Sequence, residues 1–505
     1  MLREWLDNPI FVKHLRSRLR PQAMATGASI VALICLCIVY GGFQSRPFDG
    51  RMAFAALMGV QFVVLGLVGS VQVGAAVGGA KGTGILDFHR VSPQTPTELT
   101  LGFLFGAPIR EYLMAALTLP FLLLCAWLGY PDFRGLVQVE VMVLFVAWTL
   151  HALSLLGGLV LKGGVTGQNA LGASIGIGIF VAGPIVGAFG LLSRLLDVDY
   201  RLEFFGFSLP WVAFVVLHVS ALLAFVMLAA LRKMESERLH GLTKRQALAA
   251  MAAFSVLAVG GMGNWPANGG PQLTALYALT VIAIVLISLT TPTQAEYARG
   301  LRRARKQGES GPPVLDDAAP NRPIIAAIGT VLLAAGSLIG MAMVDDPMMW
   351  RGMPKAASFP HSVAYATIVA AYFGLGLQYF LLRFGRRSAN FFGLFLFVAW
   401  VLPLILGVVT ILAVGPPGND PRPPLIFSAT PIVGIAATSD VFEDAAGPGP
   451  ALVAFTLALL FAFVFNTLYI KAVRRVRHAV DRADAAIAKP DPDPLDALPA
   501  EPAPA

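Results

Sequence analysis

Few residues of this 505-residue chain are placed for chemistry. The polar side chains that fall within long apolar stretches are Gln61, Gln72, Glu140, His151, His218 and Gln378. Such groups are functional candidates because burying them away from water is costly. Each histidine stands alone, and a lone histidine among apolar residues is more often a hydrogen-bonded core residue than a metal ligand. No spacing of His, Cys or carboxylates resembles a metal cage, and no Ser/His/Asp or paired-carboxylate arrangement marks a catalytic site.

A phosphate-binding loop is not expected on this chain. Such a loop requires Gly-x-x-x-x-Gly-Lys-Ser/Thr, because backbone amides and one lysine together hold the phosphates. The nearest candidate is Gly78-Gly79-Ala80-Lys81-Gly82-Thr83. It breaks the Gly-Lys-Thr adjacency and lies at the end of an apolar run. We therefore predict no nucleotide site and no other cofactor on this chain.

The composition indicates a membrane as the medium. Hydrophobic residues make up 56% of the chain, charged residues only 13%, and the mean hydropathy is +0.72. Soluble globular proteins carry about 25% charged residues. Glycine and proline sit inside the apolar runs, where transmembrane helices tolerate them. These values exclude a soluble enzyme, a nucleic-acid-binding domain and a secreted disulfide scaffold, and the three cysteines, Cys35, Cys37 and Cys125, are expected to be small apolar fillers.

Twelve apolar runs are long enough to cross a hydrocarbon core of ~30 Å, which takes about 20 helical residues. They lie near 23–41, 53–79, 112–130, 138–161, 170–193, 209–231, 246–263, 272–291, 323–344, 361–382, 391–414 and 450–470. The predicted fold is thus an all-α polytopic membrane protein with twelve transmembrane helices in a 6+6 arrangement.

The distribution of positive charge predicts the orientation. If alternate loops are assigned to opposite sides, starting with the N-terminus in the cytoplasm, 29 of the 37 lysines and arginines fall on the cytoplasmic side. This is the bias that the positive-inside rule requires of short loops, and a missed span would erase it. We therefore expect both termini in the cytoplasm of a multi-pass plasma-membrane protein, and the net charge of +8 gives no reason to expect a nucleic-acid partner.

The spans and loops divide the chain into five parts. They are an amphipathic cytoplasmic helix (1–22), a first six-helix half (23–231) with a cytoplasmic loop at 82–111, a basic connector (232–245), a second six-helix half (246–472) with a flexible cytoplasmic linker at 296–323, and a tail (473–505) that is basic and then rich in Pro, Ala and Asp. The end of this tail has no apolar face to bury, so we expect it to be disordered. The external stretch 423–438 is compatible with either an interfacial or a re-entrant segment.

The N-terminal segment predicts a helix on the membrane surface. Asn8 can cap a helix that has Pro9 at its first position. Apolar residues then alternate with basic ones, as in a helix that lies along the cytoplasmic face before the first span. The basic residues of this segment are Lys13, Arg16, Arg18 and Arg20.

The loop after the second span predicts a helix–turn–helix. A short helix over 85–91 should stop at Ser92-Pro93, because a residue before proline disfavours the α conformation. A second helix should begin with Thr95 or Thr97 as its cap and Glu98 in its first turn, where a carboxylate favours the helix dipole. Such a projection could dock a soluble motor.

Together these two segments resemble type-2 ABC transporter permeases. Members of that family open with an Asn-Pro-Ile/Leu amphipathic helix and carry a Gly-Thr…Leu…Ser/Thr-Pro…Glu…Gly pattern after the second span. The matching positions here are Gly82, Thr83, Leu86, Ser92, Pro93, Glu98 and Gly102. The resemblance covers roughly residues 8–130. It departs from the family at His89 and Arg90, where apolar residues are usual, and at Phe103, where lysine often follows the glycine.

The resemblance implies a membrane subunit of an exporter, in a bacterial inner membrane, that is not itself an enzyme. ATP would act through a separate soluble ABC ATPase, present in two copies, and a second permease copy or another membrane subunit is also compatible. The coupling residues implied by the resemblance are Asp87, Arg90, Ser92, Pro93 and Glu98.

Two other classes of function remain open from the sequence. A twelve-helix secondary transporter fits the topology, and Gly84-Ile-Leu-Asp87-Phe-His-Arg90 resembles part of a major-facilitator loop motif, although the Gly-Arg-Arg continuation is absent. An ion-coupled carrier should depend on Glu140, His151 or His218, whereas a motor-driven permease need not. A polytopic membrane enzyme would rely on a group such as Asp345, Asp346, Arg351 and Lys355, which a solvated loop explains better.

Overall fold

The computed structural model describes residues 8–44, 50–128, 132–160, 201–264, 270–343, 356–414, 422–439, 441 and 447–488, and helices dominate this part of the chain. The helices of the first half and its hairpin are α1 (Pro9–Arg18), α2 (Pro21–Gln44), α3 (Gly50–Gly82, with a π-helical turn at Val63–Val68), α4 (Ile85–Val91), α5 (Pro96–Gly106), α6 (Ile109–Trp127, with a turn at Leu117 and Thr118), α7 (Phe133–Val160), β1 (Arg201–Phe204), β2 (Phe207–Pro210) and α8 (Trp211–Glu235). The remaining helices are α9 (Lys244–Gly260), α10 (Gly270–Thr290), α11 (Gln294–Lys306), α12 (Arg322–Met341), α13 (Phe359–Phe384), α14 (Ser388–Leu396 and Leu402–Val414, joined by a π-helical turn at Phe397–Val401), α15 (Arg422–Ser428), α16 (Pro431–Ala437) and α17 (Gly449–Ala488). Short 3-10 turns follow α9 and α13, at Met262–Asn264 and Gly385–Arg387.

Ten helices in the described part of the chain are long and apolar enough to cross a bilayer. They are α2, α3, α6, α7, α8, α10, α12, α13, α14 and α17. The protein is therefore a multi-pass helical membrane protein. Of the two other predicted spans, 170–193 lies outside the described residues, and 246–263 corresponds to α9. That helix has 17 residues and a length of about 26 Å, slightly less than the ~30 Å hydrocarbon core.

At one end of the bundle, polar contacts connect the ends of several helices. We call this the basic end. Here α3, α8 and α10 finish, and α9 and α12 begin. The contacts that connect these segments are Lys81 with Glu237 (3.0 Å), Arg232 with Asp317 (3.2 Å), His240 with Glu296 (3.7 Å) and Arg305 with Asp484 (2.6 Å). The helix ends that carry the predicted cytoplasmic charges therefore meet on one surface.

The β-hairpin lies at the opposite end of the bundle. Its antiparallel strands pair Leu202 with Leu209, and Phe205 and Gly206 form the turn, both with positive φ. The backbone N–H of Phe205 donates to the carbonyl oxygen of Gly260, the last residue of α9 (2.9 Å). This hydrogen bond holds the one strained non-glycine residue among those described and fixes the hairpin over the far end of α9.

The buried apolar side chains separate into clusters that follow the two halves of the chain. The largest cluster draws on α9, α10, α12, α13 and α17, with Ala229 as its only buried member from before residue 232 among the described residues. Two others are built from residues between Ile10 and Met234. Lipid tails are as apolar as the side chains, so close packing rather than the hydrophobic effect holds such helices together. A Cβ at Gly158 of α7 would lie 3.0 Å from the Gly74 carbonyl oxygen of α3, and one at Gly374 would lie 2.8 Å from Ile287.

Where we expected a flexible linker over 296–323, the structure differs: its first part is helix α11. Thr293 caps this helix in a capping box with Glu296. Tyr297 and Leu301 lie four residues apart on one face and pack with Val476 of α17. The amphipathic spacing of these apolar residues is the physical reason that the segment is helical.

The last helix, α17, continues well past the membrane. Its 40 residues rise about 60 Å, twice the thickness of the hydrocarbon core. The basic run that was predicted to begin the tail is therefore helical, and residues 489–505 lie outside the described part. At the other end of the bundle, α15 and α16 form short packed helices within the stretch 423–438. The Ser362 hydroxyl of α13 donates to the Ile435 carbonyl oxygen (2.9 Å), which ties α16 to the bundle.

Candidate functional site

Helix α1 begins as its sequence predicts. The Asn8 side-chain oxygen accepts hydrogen bonds from the backbone amides of Ile10 (3.0 Å) and Phe11 (3.3 Å), and Pro9 occupies the first helical position. Ile10 and Phe11 are buried, whereas Lys13 is exposed. Helix α1 therefore has a buried face and an exposed face, and Asn8 caps its first turn.

The Asn8 side chain also connects the two segments that carry the family resemblance. Its Nδ2 donates to the carbonyl oxygen of Glu98, 90 residues away (2.7 Å). Gly102 permits this approach, because a Cβ there would lie 2.8 Å from the Asn8 oxygen and 2.9 Å from the Ile10 Cβ. One helical turn later, a Cβ at Gly106 would lie 3.1 Å from the Phe11 Cα. Two glycines of α5 thus form the seat of α1.

The helix–turn–helix of α4 and α5 follows the sequence prediction closely. Helix α4 ends at Val91, and the Ser92 hydroxyl donates to the carbonyl oxygen of His89 (2.6 Å). Thr95, rather than Thr97, caps α5. The Glu98 amide donates to the Thr95 hydroxyl oxygen (3.2 Å) while the Glu98 carboxylate accepts from the Thr95 amide (2.8 Å). Glu98 therefore lies in the first turn of α5, as its sequence predicts, and its carboxylate takes part in the capping box.

Arg90 fastens α4 to the end of α8. Its Nε donates to the Met234 carbonyl oxygen (3.0 Å), its Nη2 to that of Lys233 (2.8 Å) and its Nη1 to the Asp87 carboxylate (2.7 Å). The C-terminus of a helix carries partial negative charge, so a guanidinium is favoured there. The departure from the family pattern at position 90 thus has a structural use within this chain.

A second contact joins the end of α3 to the residue Glu237 that follows α8. Lys81, in the last turn of α3, pairs with Glu237 (3.0 Å) and also donates to the Leu159 carbonyl oxygen of α7 (2.6 Å). The hydrogen bond from Lys81 holds the pKa of the Glu237 carboxyl below its ordinary value. The ends of α3, α7 and α8 are thereby held together beneath α4.

Because the charged side chains of α4 are paired within the chain, the exposed face of this helix is largely apolar. Phe88 is 70% exposed and Val91 is 83% exposed, and Ile85 beside them is also exposed, whereas Leu86 is fully buried. We call Ile85, Phe88 and Val91 the apolar tip. Exposed apolar groups on a projecting, otherwise polar surface are typical of a protein contact site. Sequence reasoning named the charges of this loop instead; the spacing of Phe88 and Val91 opposite Leu86 was the signal for the tip.

A crevice of about 250 Å³ lies between α1, the end of α3 and α4. Lys13, His14 and His89 are among the residues that line it, and the His14 ring lies 5.6 Å from that of Phe103. Burial, followed by the charges of Arg18 and Lys13, lowers the pKa of His14 to about 4. His14 is therefore neutral at physiological pH and packs as an aromatic ring.

The other predicted basic residues of this segment, Arg16 and Arg18 in α1 and Arg20 just after it, differ in their surroundings. Arg16 and Arg20 are exposed, and Arg18 donates from Nη1 to the Gln72 side-chain oxygen of α3. One of the polar groups in the apolar stretches, Gln72, thus serves to hold α1 against the bundle.

His151 is matched to the π-helical turn of α3. A π turn shifts the backbone hydrogen-bond pattern, and such turns often occur at functional positions. The His151 Nε2 lies 2.8 Å from the Leu65 carbonyl oxygen within this turn, and its Nδ1 lies 3.3 Å from the Tyr112 hydroxyl. A Cβ at Gly69 would lie 2.5 Å from the imidazole. His151 is therefore a satisfied core residue that fills the irregular turn.

Most other polar groups in the apolar stretches are also paired. His218 contacts the carbonyl oxygens of Phe214 (2.8 Å) and Leu257 (3.4 Å), and Gln378 accepts from the Asn321 amide (2.8 Å). Gln61 donates to the Oε2 of Glu140 (3.0 Å), while the buried Oε1 of this carboxylate has no hydrogen-bond partner among the described residues. The same is true of Gln61 Oε1 and Gln378 Nε2, but Glu140 is the carboxylate of this group.

The described residues contain no group of three or more His, Cys, Asp or Glu side chains that could hold a metal ion. The residues Asp345, Asp346, Arg351 and Lys355 lie outside them. Comparison with known proteins finds no matching family model, no similar curated protein and no similar solved structure.

Proposed function

We propose that this protein is the membrane permease subunit of an ATP-driven exporter of the type-2 ABC class, energised by a separate ATPase chain. The observation that carries the proposal is the seat of α1 on α5. It brings together the two sequence segments that resemble that family and places the apolar tip beside them at the basic end.

The contacts of α4 with the membrane helices would transmit a movement of a bound ATPase to them. Arg90 fastens α4 to α8, and α5 leads through Ala107 and Pro108 directly into the membrane helix α6. A displacement of the apolar tip would therefore act on at least two membrane helices at once. Coupling of this kind requires a rigid element with defined contacts rather than a free loop.

The proposed topology keeps twelve spans, six in each half, with the basic end in the cytoplasm. The Leu159 carbonyl oxygen, near the end of α7, contacts Lys81 at the basic end, whereas the hairpin that begins at Arg201 lies at the opposite end. By the resemblance, the membrane is a bacterial inner membrane and the ATPase is present in two copies.

The proposal is tested by purifying the tagged full-length protein from its native membranes in mild detergents. We expect vanadate-sensitive ATP hydrolysis to co-purify, carried by a separate chain. Replacing the apolar tip with Phe88→Asp and Val91→Asp should remove that chain and its activity, because a charged surface cannot be buried in an apolar contact.

A matched control comes from the opposite end of the molecule. Phe205 and Phe207 are also exposed aromatic residues, and the pair Phe205→Asp and Phe207→Asp should leave the ATPase bound. The proposal is contradicted if no ATPase co-purifies in any of several mild detergents. It is equally contradicted if both charged pairs release the ATPase to the same extent.

One observation favours a secondary transporter as the second candidate: Glu140 has an unpartnered buried oxygen. A carboxylate that binds a coupling proton or sodium ion needs free ligand capacity. Glu140→Gln keeps the shape of the side chain and removes its charge. A permease driven by ATP should retain transport in this variant, whereas an ion-coupled carrier should lose it. Transport measured in membrane vesicles that contain either the unchanged protein or the Glu140→Gln variant distinguishes the two.

A further inference from the structure

A wide groove opens at the basic end of the second half. It lies between the loop 236–243, helix α11 and the segment 313–318, and has a volume of about 990 Å³. Five arginines line it: Arg238, Arg245, Arg299, Arg302 and Arg303. The groove is formed by segments that join α8 to α9 and α10 to α12, so it lies where these helices leave the bilayer.

Three of the arginines share one face of α11. Arg299, Arg302 and Arg303 are spaced at i, i+3 and i+4, which places them side by side, opposite the buried face of Tyr297 and Leu301. Like charges at this spacing destabilise a helix. The arrangement therefore calls for negative charge at the surface of the groove.

The carboxylates of the groove are already used within the chain. Glu296 accepts from the Thr293 amide (2.7 Å) in the capping box of α11. Asp317 pairs with Arg232 (3.2 Å), and Asp316 accepts from a backbone amide of its own turn (2.7 Å). These contacts fix the walls of the groove, and its three carboxylates, one of them already paired with Arg232, cannot balance five arginines.

The guanidinium groups are correspondingly under-compensated. Arg303 lies 3.6 Å from Asp316 and Arg302 lies 3.5 Å from Asp484, both long for ion pairs. In the described part of the chain, no carboxylate lies within ion-pair distance of the three other exposed guanidiniums, those of Arg238, Arg245 and Arg299.

We propose that this groove binds a ligand that carries two or more phosphate groups, presented by a lipid headgroup or free in solution. Guanidinium groups hold phosphate oxygens through pairs of parallel hydrogen bonds, and several of them on opposing walls match a ligand with several phosphates. The groove is also wider than one phosphate requires. Basic pockets between membrane helices at this level bind anionic headgroups.

The test uses purified full-length protein with two probes. For the lipid source, nanodiscs of phosphatidylcholine contain either cardiolipin, with two phosphates, or twice as much phosphatidylglycerol, so that total charge is equal; the lipid that stays with the protein after extraction is quantified. For the soluble source, binding of inorganic pyrophosphate is measured by equilibrium dialysis. Selective retention of cardiolipin identifies a lipid ligand, and saturable pyrophosphate binding identifies a soluble one.

Matched triple variants test the location. Replacing Arg238, Arg245 and Arg299 with glutamine should weaken binding of the productive probe at least about tenfold, because each guanidinium contributes charge-assisted hydrogen bonds. The control replaces three exposed cations of α17 at the same end, Lys471, Arg474 and Arg475, with glutamine and should bind normally. If the groove triple fails to fold, Arg299→Gln alone should still weaken binding severalfold.

The proposal is overturned if neither probe binds saturably to the unchanged protein. It is also overturned if the two triple variants lose binding equally, since that result indicates diffuse surface charge. Neither measurement involves an ATPase, so its outcome is independent of the function proposed above.

Discussion

The two halves of this protein use the same local device to begin a helix at the basic end, and then present opposite surfaces. In the first half, Thr95 and Glu98 form the capping box of α5; in the second, Thr293 and Glu296 form that of α11. The first projection keeps its charges for internal contacts and exposes an apolar tip. The second is held by α17 and exposes arginines. The capping box shows where each helix begins at the basic end. The side chains that each projection leaves exposed, apolar in the first half and arginine in the second, determine what each surface can bind.

The largest effect on the surface around the apolar tip is expected from a change that displaces α1 from α5. Gly102→Ala would place a Cβ 2.8 Å from the Asn8 side chain and 2.9 Å from Ile10, so α1 must shift and its cap is lost. We expect a loss of about 3 kcal/mol in the free energy that holds α1 in place. Rapid tryptic cleavage after Lys13 in the native protein measures this release.

The control for this change is Gly59→Ala in α3. A Cβ at Gly59 meets nothing within 4 Å, and the same gain in helix propensity applies. Cleavage after Lys13 should be as slow as in the unchanged protein. Equal protection in the Gly102 and Gly59 variants would contradict the close seat of α1.

Arg90→Gln should loosen α4 without removing the apolar tip. Its loss removes two charge-assisted contacts with the end of α8, and we expect a destabilisation of about 2 kcal/mol. Asp87→Asn serves as the control, because Asp87 is exposed and contributes only to a surface pair. Denaturant unfolding in detergent, followed by helical ellipticity, measures both. Equal stability of the two variants would show that Arg90 is not the fastening point.

On the second surface, Arg305→Gln should have a smaller effect. Arg305 pairs with Asp481 and Asp484 of α17, and partly exposed ion pairs contribute less than about 1 kcal/mol. The global unfolding midpoint should hardly change, while proteolysis of the α17 extension becomes faster. Lys306→Gln, an exposed neighbour, should leave the extension protected. If Arg305→Gln has no effect on this proteolysis, the remaining contacts between α11 and α17 hold the extension without it.

The region around α1 should also show a pH dependence. The pKa of His14 is lowered from 6.5 to about 4 in the folded state, by burial and by Arg18 and Lys13. Between these values the unfolded chain binds a proton that the folded chain does not, so stability falls as pH decreases through this window. His14→Gln should therefore reduce the drop in unfolding midpoint between about pH 7 and pH 5. His478→Gln, at an exposed position on α17, should leave the drop unchanged; equal drops in both variants would contradict the assignment to His14.

Local features of the candidate site could be predicted from the sequence because they depend on near neighbours. The Asn8-Pro9 start, the end of α4 at Ser92-Pro93 and the capping box at Glu98 each involve residues within four positions. The contact between Asn8 and the Glu98 carbonyl joins residues 90 positions apart and depends on how two helices pack. For the same reason, the sequence could not show that Arg90 is used within the chain.

Two features of the fold were missed for different reasons. Helix α11 is strongly charged overall, which favoured a linker, but the spacing of Tyr297 and Leu301 carried a readable amphipathic signal. The π-helical turn of α3 has no such signal. Its irregular backbone depends on His151 from another helix, which fills the space beside Gly69.

We propose that the apolar tip, and not the arginine-bearing surface, binds the ATPase. The most direct measurement places a photo-crosslinking amino acid at Phe88 or, separately, at exposed Val314 beside the arginine groove, in cells that express the full-length protein. We expect an adduct from position 88 with a chain that binds an ATP analogue, and no such adduct from position 314. Adducts of equal yield from both positions, or none from position 88, would contradict it.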